Sequence, residues 1–172
     1  MKKVFFLICV VCCMISSICF AKVNPTDFSI SGITIGQKAK YVENLYGKPY
    51  FIKNITDTMD VWSYRKDNLI FDVRVQNEKG KENTVEGVTC FGNTGLATEG
   101  GVSYGSTAEQ IKSAYGTPDY EGMTDGYDSP FKGHQGLDYS CMDNTYLYIM
   151  HFGLENNHVI GFYITRHPKD EN

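Results

Sequence analysis

One spacing constrains this chain more than any other, because it occurs twice. Ile35-Gly36 is followed, eleven residues on from the glycine, by Tyr46-Gly47-Lys48-Pro49, and Tyr104-Gly105 is followed at the same distance by Tyr115-Gly116-Thr117-Pro118. The stretches between carry apolar residues at three- and four-residue spacing, Ala39, Val42 and Leu45 in one and Ala108 and Ile111 in the other. That spacing predicts a short helix buried on one side. In the second stretch Ser106 or Thr107, with Glu109 or Gln110 three residues later, reads as a capping box at the helix start. The glycine of Tyr-Gly-x-Pro suits the left-handed position just past a helix C-terminus, and the proline cannot continue the helix.

Further landmarks keep the same order. Asp67-Asn68-Leu69-Ile70-Phe71 is echoed by Asp143-Asn144-Thr145-Tyr146-Leu147, and Val85-Glu86-Gly87-Val88 by Val159-Ile160-Gly161-Phe162. Leu69, Phe71, Val73 and Val75 alternate with Ile70, Asp72, Arg74 and Gln76, the period of a strand with one wet face. A charged turn over 77–83 leads to a strand over 84–91, and strands are expected over 139–142, 145–154 and 159–165. The prediction is an α+β fold of two tandem repeats, each a short helical hairpin packed on an antiparallel β-sheet. Repeat 1 is expected over 22–91, a Gly-rich linker over 92–101 and repeat 2 over 102–172. The two sheets should lie side by side or continue each other, since one copy alone is too small to bury its sheet.

The first 21 residues are read as an export signal: Lys2 and Lys3, an apolar run from Val4 to Phe20 interrupted by Ser16 and Ser17, then Ala21. The expectation is a mature chain of about 151 residues, soluble, and periplasmic or secreted. A retained membrane anchor is the rival reading, and a lipid anchor on Cys19 is disfavoured by Ile18 before it. The removed leader holds two lysines and no acid, so the formal charge moves from −4 to about −6. A mildly acidic chain argues against nucleic acid or anionic lipid as a partner. Outside the leader two cysteines remain, Cys90 and Cys141. In an exported protein a disulfide between them is expected, worth about 4 kcal/mol in the chain-entropy account; two buried thiols are the alternative.

The segments 35–91 and 104–164, with Gly, short helix, Gly-x-Pro and aromatic strands ending in Val-x-Gly, resemble the repeat of the β-lactamase inhibitory protein fold. The same unit, used once, is found in the small lipoprotein subunit of the outer-membrane β-barrel assembly machine. The resemblance implies a helix-loop-helix on a four-stranded sheet, with two copies forming a concave, protein-binding surface.

Laying Asp67-Asn68 on Asp143-Asn144 without gaps matches Leu69, Phe71 and Val73 to Thr145, Leu147 and Ile149. Tyr146, Tyr148, Met150 and Phe152 then stand where the first copy is mostly polar. With Trp62 and Tyr64 they are the candidate partner-binding surface, since aromatic residues and Met give contact area at low entropy cost. The competing reading packs them into the core. His134, His151, His158 and His167 match no compact ligand spacing, so no metal or cofactor is expected. No phosphate loop, nucleophile elbow or His-Glu-x-x-His run occurs, and Cys141 with His134 or His151 has no supporting motif, so no catalytic residue is assigned. The segment 120–136 is read as an inserted loop of the kind that often carries function. The functional expectation is a non-enzymatic module binding another exported or envelope protein. An envelope assembly or structural factor is the alternative, and a small-molecule binder in a cleft between the repeats is the second.

Overall fold

The computed structural model describes residues 23–66, 69–126 and 129–169. The export signal and the Asp67-Asn68 landmark lie outside the described residues. No helix among the described residues is long and apolar enough to cross a membrane.

After a 3-10 turn at Pro25–Asp27 comes a two-stranded ribbon, β1 (Ser29–Ile30) and β2 (Ile33–Thr34). Helix α1 (Ala39–Tyr46) precedes β3 (Phe51–Thr56), β4 (Met59–Lys66), β5 (Leu69–Gln76) and β6 (Thr84–Phe91). Helix α2 (Ala108–Tyr115) precedes β7 (Tyr120–Met123), β8 (Gln135–Met142), β9 (Tyr146–Glu155) and β10 (His158–Pro168). Both helices form where the spacing places them. Thr107 caps α2, its hydroxyl accepting from the Gln110 N–H at 3.3 Å while the Gln110 side chain accepts from the Thr107 N–H at 2.8 Å. Gly47 and Gly116 end the two helices at φ +80° and +82°, a region that favours glycine.

The expected pair of helix-on-sheet repeats does not form. Among the described residues the structure is mostly β, 50% strand against 13% helix, and each α-helix is single, with no hairpin partner. β3 to β10 all belong to one antiparallel eight-stranded sheet in the order β3-β4-β5-β6-β10-β9-β8-β7. The seam is β6 against β10, running from Gly161↔Phe91 to Thr165↔Gly87. Val88 and Cys90 on one side and Phe162 and Ile164 on the other are all but fully buried. Separate sheets would expose these four residues at two raw edges, so continuity is the lower-energy solution. The segment expected as a linker is packed as well. Thr94, Leu96 and Thr98 are buried, Ile30 bridges to Thr98, and the Tyr115 hydroxyl donates to Thr98 Oγ1 at 2.6 Å.

One face of the sheet carries the core. α1 lies over its first half, with Tyr46 edge-on to Phe71 at 5.0 Å, and α2 over its second, with Tyr115 5.9 Å from Phe152. Cys90 and Cys141 are both buried in this core and are not disulfide-bonded. They sit on β6 and β8, three strand spacings apart, Cys90 in line with Phe162 of β10 and Cys141 with Arg166, so their backbones are separated by more than about 14 Å. A disulfide tolerates no more than about 7 Å between Cα atoms, so the expected bond cannot form here.

Candidate functional site

The opposite face is where polar groups collect. β7, β8, β9 and β10 each place a glycine in one cross-strand row, Gly122↔Gly136↔Gly153↔Gly161. A strand glycine marks close approach of something to the backbone, and here it is the loop 124–134. A Cβ on Gly153 or Gly161 would stand 2.5 Å from the Phe131 ring, and one on Gly136 would stand 2.6 Å from Thr124 Oγ1. The glycine row is thus a trough in which Phe131 lies, 4% exposed, stacked on His151 and Tyr163.

Beneath the loop His151 is 3% exposed. Its Nδ1 pairs with the Asp138 carboxylate, and its Nε2 lies 3.4 Å from Thr124 Oγ1. Carboxylate, imidazole and hydroxyl in that order resemble a nucleophile with its base and orienter. The hydroxyl, however, is buried under the loop, and Gly136 leaves no space beside it for a substrate. The loop is also held by Thr124 N–H to His134 O and Gly133 N–H to Thr124 O, both 2.8 Å. The chemistry of the trio is that of a clasp.

Where this loop meets the uncovered half of the face there is a groove of about 490 Å³. Tyr163, Thr165 and His167, alternate residues of β10, form its floor with Arg74 of β5 and Thr89 of β6; Ser129 and Pro130 of the loop form a wall. A Cβ at Gly87 would crowd Ile164 O and Thr165 Oγ1 at 3.2 Å and touch Arg74 Cδ at 3.4 Å. Burial, together with the nearby Arg74, lowers the His167 pKa, favouring the neutral ring. Burial raises the Tyr163 phenol above its ordinary value, aided by Asp138.

No family profile matches the chain, and no curated protein sequence matches it either. Solved structures do match it. An extracellular protein containing an SCP domain from Bacillus anthracis str. Ames superposes with a TM-score of 0.53 at 11% identity, over 84% of this chain and 48% of that one. A cysteine-rich secretory protein from Staphylococcus aureus subsp. aureus Mu50 gives 0.51 at 12%, over 84% and 47%. The likeness is one of fold. This chain spans about half the length of either protein. These neighbours overturn the resemblance to the β-lactamase inhibitory protein repeat.

The residues singled out as a partner-binding surface sit elsewhere. Trp62, Tyr64, Tyr148, Met150 and Phe152 are all buried, between 0% and 7% exposed, on the helix-covered face, and Tyr146 is half-buried beside them. Tyr64 stacks on Phe71 at 4.7 Å, Tyr148 packs on Phe28 at 5.4 Å, and Arg166 lies over the Tyr146 ring at 4.1 Å. The gap-free match set β9 one residue out of phase, and in a strand one residue exchanges the faces. Phe71, Val73 and Val75 share the core with Tyr148, Met150, Phe152 and Leu154, while Ile149 faces the groove. Of the segment 120–136, β7 and β8 take the ends, and the described residues 124–126 and 129–134 lie outside the strands. Of the four histidines only His151 and His167 belong to this face, and no group of His, Cys, Asp or Glu among the described residues has metal-binding geometry.

The surface that sequence reasoning missed is the outer edge of β3. All six of its residues are exposed, including Phe51 (56%), Ile52 (51%) and Ile55 (49%), with Tyr50 (79%) just before it. The segment Phe51-Ile52-Lys53-Asn54-Ile55-Thr56 has no clean alternation, so periodicity passes over it.

Proposed function

We propose that this chain is an exported, non-catalytic protein-binding module that takes an extended segment of another exported or envelope protein as an added strand on β3. The observation carrying the reading is that β3 ends the sheet with every residue exposed and three of its six residues large and apolar. An unpaired edge of that kind is a template for another strand, its backbone groups supplying affinity and its side chains selectivity. Phe51 and Lys53 project to one face and Ile52 and Asn54 to the other, with a bulge at Ile55, so a partner strand with one apolar residue beside Phe51 and the next beside Ile52 covers both faces. Lys53 is the only charge in β3, which favours an acidic residue opposite it. A second copy is the weaker occupant, since two chains of formal charge −4 repel one another. Export is supported by the leader read in the sequence and by the extracellular and secretory descriptions of the two structural neighbours.

The test is affinity capture from culture fluid and envelope extracts, with a Phe51→Lys/Ile55→Lys variant as the folded control. A saturable partner held by the natural protein and lost by the variant supports the reading. Equal capture by both, or no specific capture, defeats it.

A further inference from the structure

We infer that the groove between β5, β10 and the loop 124–134 is a second binding site, taking the oxyanion group, phosphate or carboxylate, of a small ligand on Arg74.

The charges around the groove are unevenly matched. Asp72, on the same face, is held by Arg65 at 3.0 Å; Asp138 is held by His151; Glu86 is turned away and binds Arg166 with both oxygens at 2.7 Å. Each of these carboxylates has its own partner. Arg74 has no carboxylate within ion-pair distance among the described residues, and its guanidinium lines the groove. A planar fork of donors with no internal partner is the group best suited to grip an oxyanion with two parallel hydrogen bonds.

The rest of the floor adds donors without adding acids. The hydroxyls of Thr89 and Tyr163 make no hydrogen bond to another described residue, and both line the groove. The Ser129 hydroxyl accepts from the Phe131 N–H at 3.3 Å and retains its own proton to donate. His167 stands beside Arg74 at the same end, where a bound anion would stabilise its protonated form and gain a second cation. The wall is fixed, because the glycine trough, Phe131 and the His151 clasp hold the loop in place. Such a site binds at little ordering cost. It shares no residue with the β3 edge, so it stands or falls independently of the proposed protein partner.

The test is titration of the ¹⁵N-labelled protein with inorganic phosphate and, separately, with succinate, at constant ionic strength and with chloride as the control. The inference predicts saturable amide shifts confined to Arg74, Thr89, Thr165 and His167, with affinity at least about tenfold weaker in Arg74→Gln. Thr89→Val should weaken binding less, and thermal unfolding should show both variants folded. Saturation by phosphate alone or by succinate alone identifies the source of the group, and either supports the site. Shifts no larger than those of chloride with both anions, or shifts unchanged in Arg74→Gln, overturn it.

Discussion

β3 and β7 are the two outer strands of one sheet, and they are finished differently. β7 has four residues; Tyr120 folds back over Gly122 to donate its hydroxyl to Met123 O at 2.9 Å, and Glu121 is tied to Lys112 of α2 at 2.8 Å. The chain then turns at once into the clasped loop. β3 has six residues and one lysine, and its apolar side chains stand in solvent. Shortness and side-chain cover are the usual devices that stop an edge from recruiting other strands. The protein applies them at one end of the sheet, while the other carries only Lys53 and the bulge at Ile55. The wet face divides in the same way, covered by the loop over β8 to β10 and open over β4 and β5.

The largest effect should come from the seam that joins the contrasting halves. Glu86 and Arg166 form a pair whose side chains are 8% and 11% exposed. Glu86→Ala leaves a buried guanidinium uncompensated and should cost about 3 kcal/mol in urea unfolding. Glu86→Leu/Arg166→Met should recover most of that loss, and failure to do so would mean the pair holds the halves in register by more than its charge.

Next is the cover of the second half. Phe131→Ala empties the glycine trough and should cost about 2–3 kcal/mol, with proteolysis appearing first in the loop 124–134. If the loop stays resistant, the clasp and not the ring is what closes this face.

A smaller response should not distinguish the halves at all. Burial pushes Tyr64 and Cys90 in the first half up to about 12, and raises Tyr139 in the second. Each is neutral when folded and ionises more readily when unfolded, so stability present below the unfolded values is lost as pH rises towards the folded ones. Circular dichroism with phenolate absorbance should show cooperative alkaline unfolding between about pH 10 and 12. The exposed tyrosines, Tyr41, Tyr50, Tyr104 and Tyr120, should ionise first; ionisation of Tyr64 or Tyr139 ahead of unfolding, read as the absorbance lost in Tyr64→Phe or Tyr139→Phe, would contradict the burial. The smallest effect belongs to the open edge: Phe51→Lys/Ile55→Lys should change stability by no more than about 0.5 kcal/mol.

How much of this was legible depended on how local the signal was. The helix starts and stops at Thr107, Gly47 and Gly116 rest on bonds within one turn, and reading the sequence alone found them. Strand positions over 69–76, 84–91 and 146–155 followed from period and turn residues. The face of β9 did not, because parity was carried over from β5 through an alignment with no means of seeing a one-residue offset. The Cys90–Cys141 bond failed for a related reason: strand order is set by the pairing of β6 with β10, and no local pattern reports it. Gly153 and Gly161 fell in expected strands, whereas Gly122 and Gly136 were read as part of the loop 120–136, and only register shows that the four form a row. The resemblance to a two-repeat fold misled because it rested on a degenerate pattern and implied a helical hairpin on each sheet, where one short helix lies over each half.

The most direct test of the central claim is hydrogen exchange of the β3 amides in the isolated protein, at concentrations where it is monomeric, and again with the captured partner bound. The account predicts fast exchange of the outward amides of β3 when alone, slow exchange of those in β5 and β6, and protection of β3 alone when the partner binds. Protection of β3 in the isolated monomer, or a partner that protects residues elsewhere and leaves β3 exchanging freely, would contradict it.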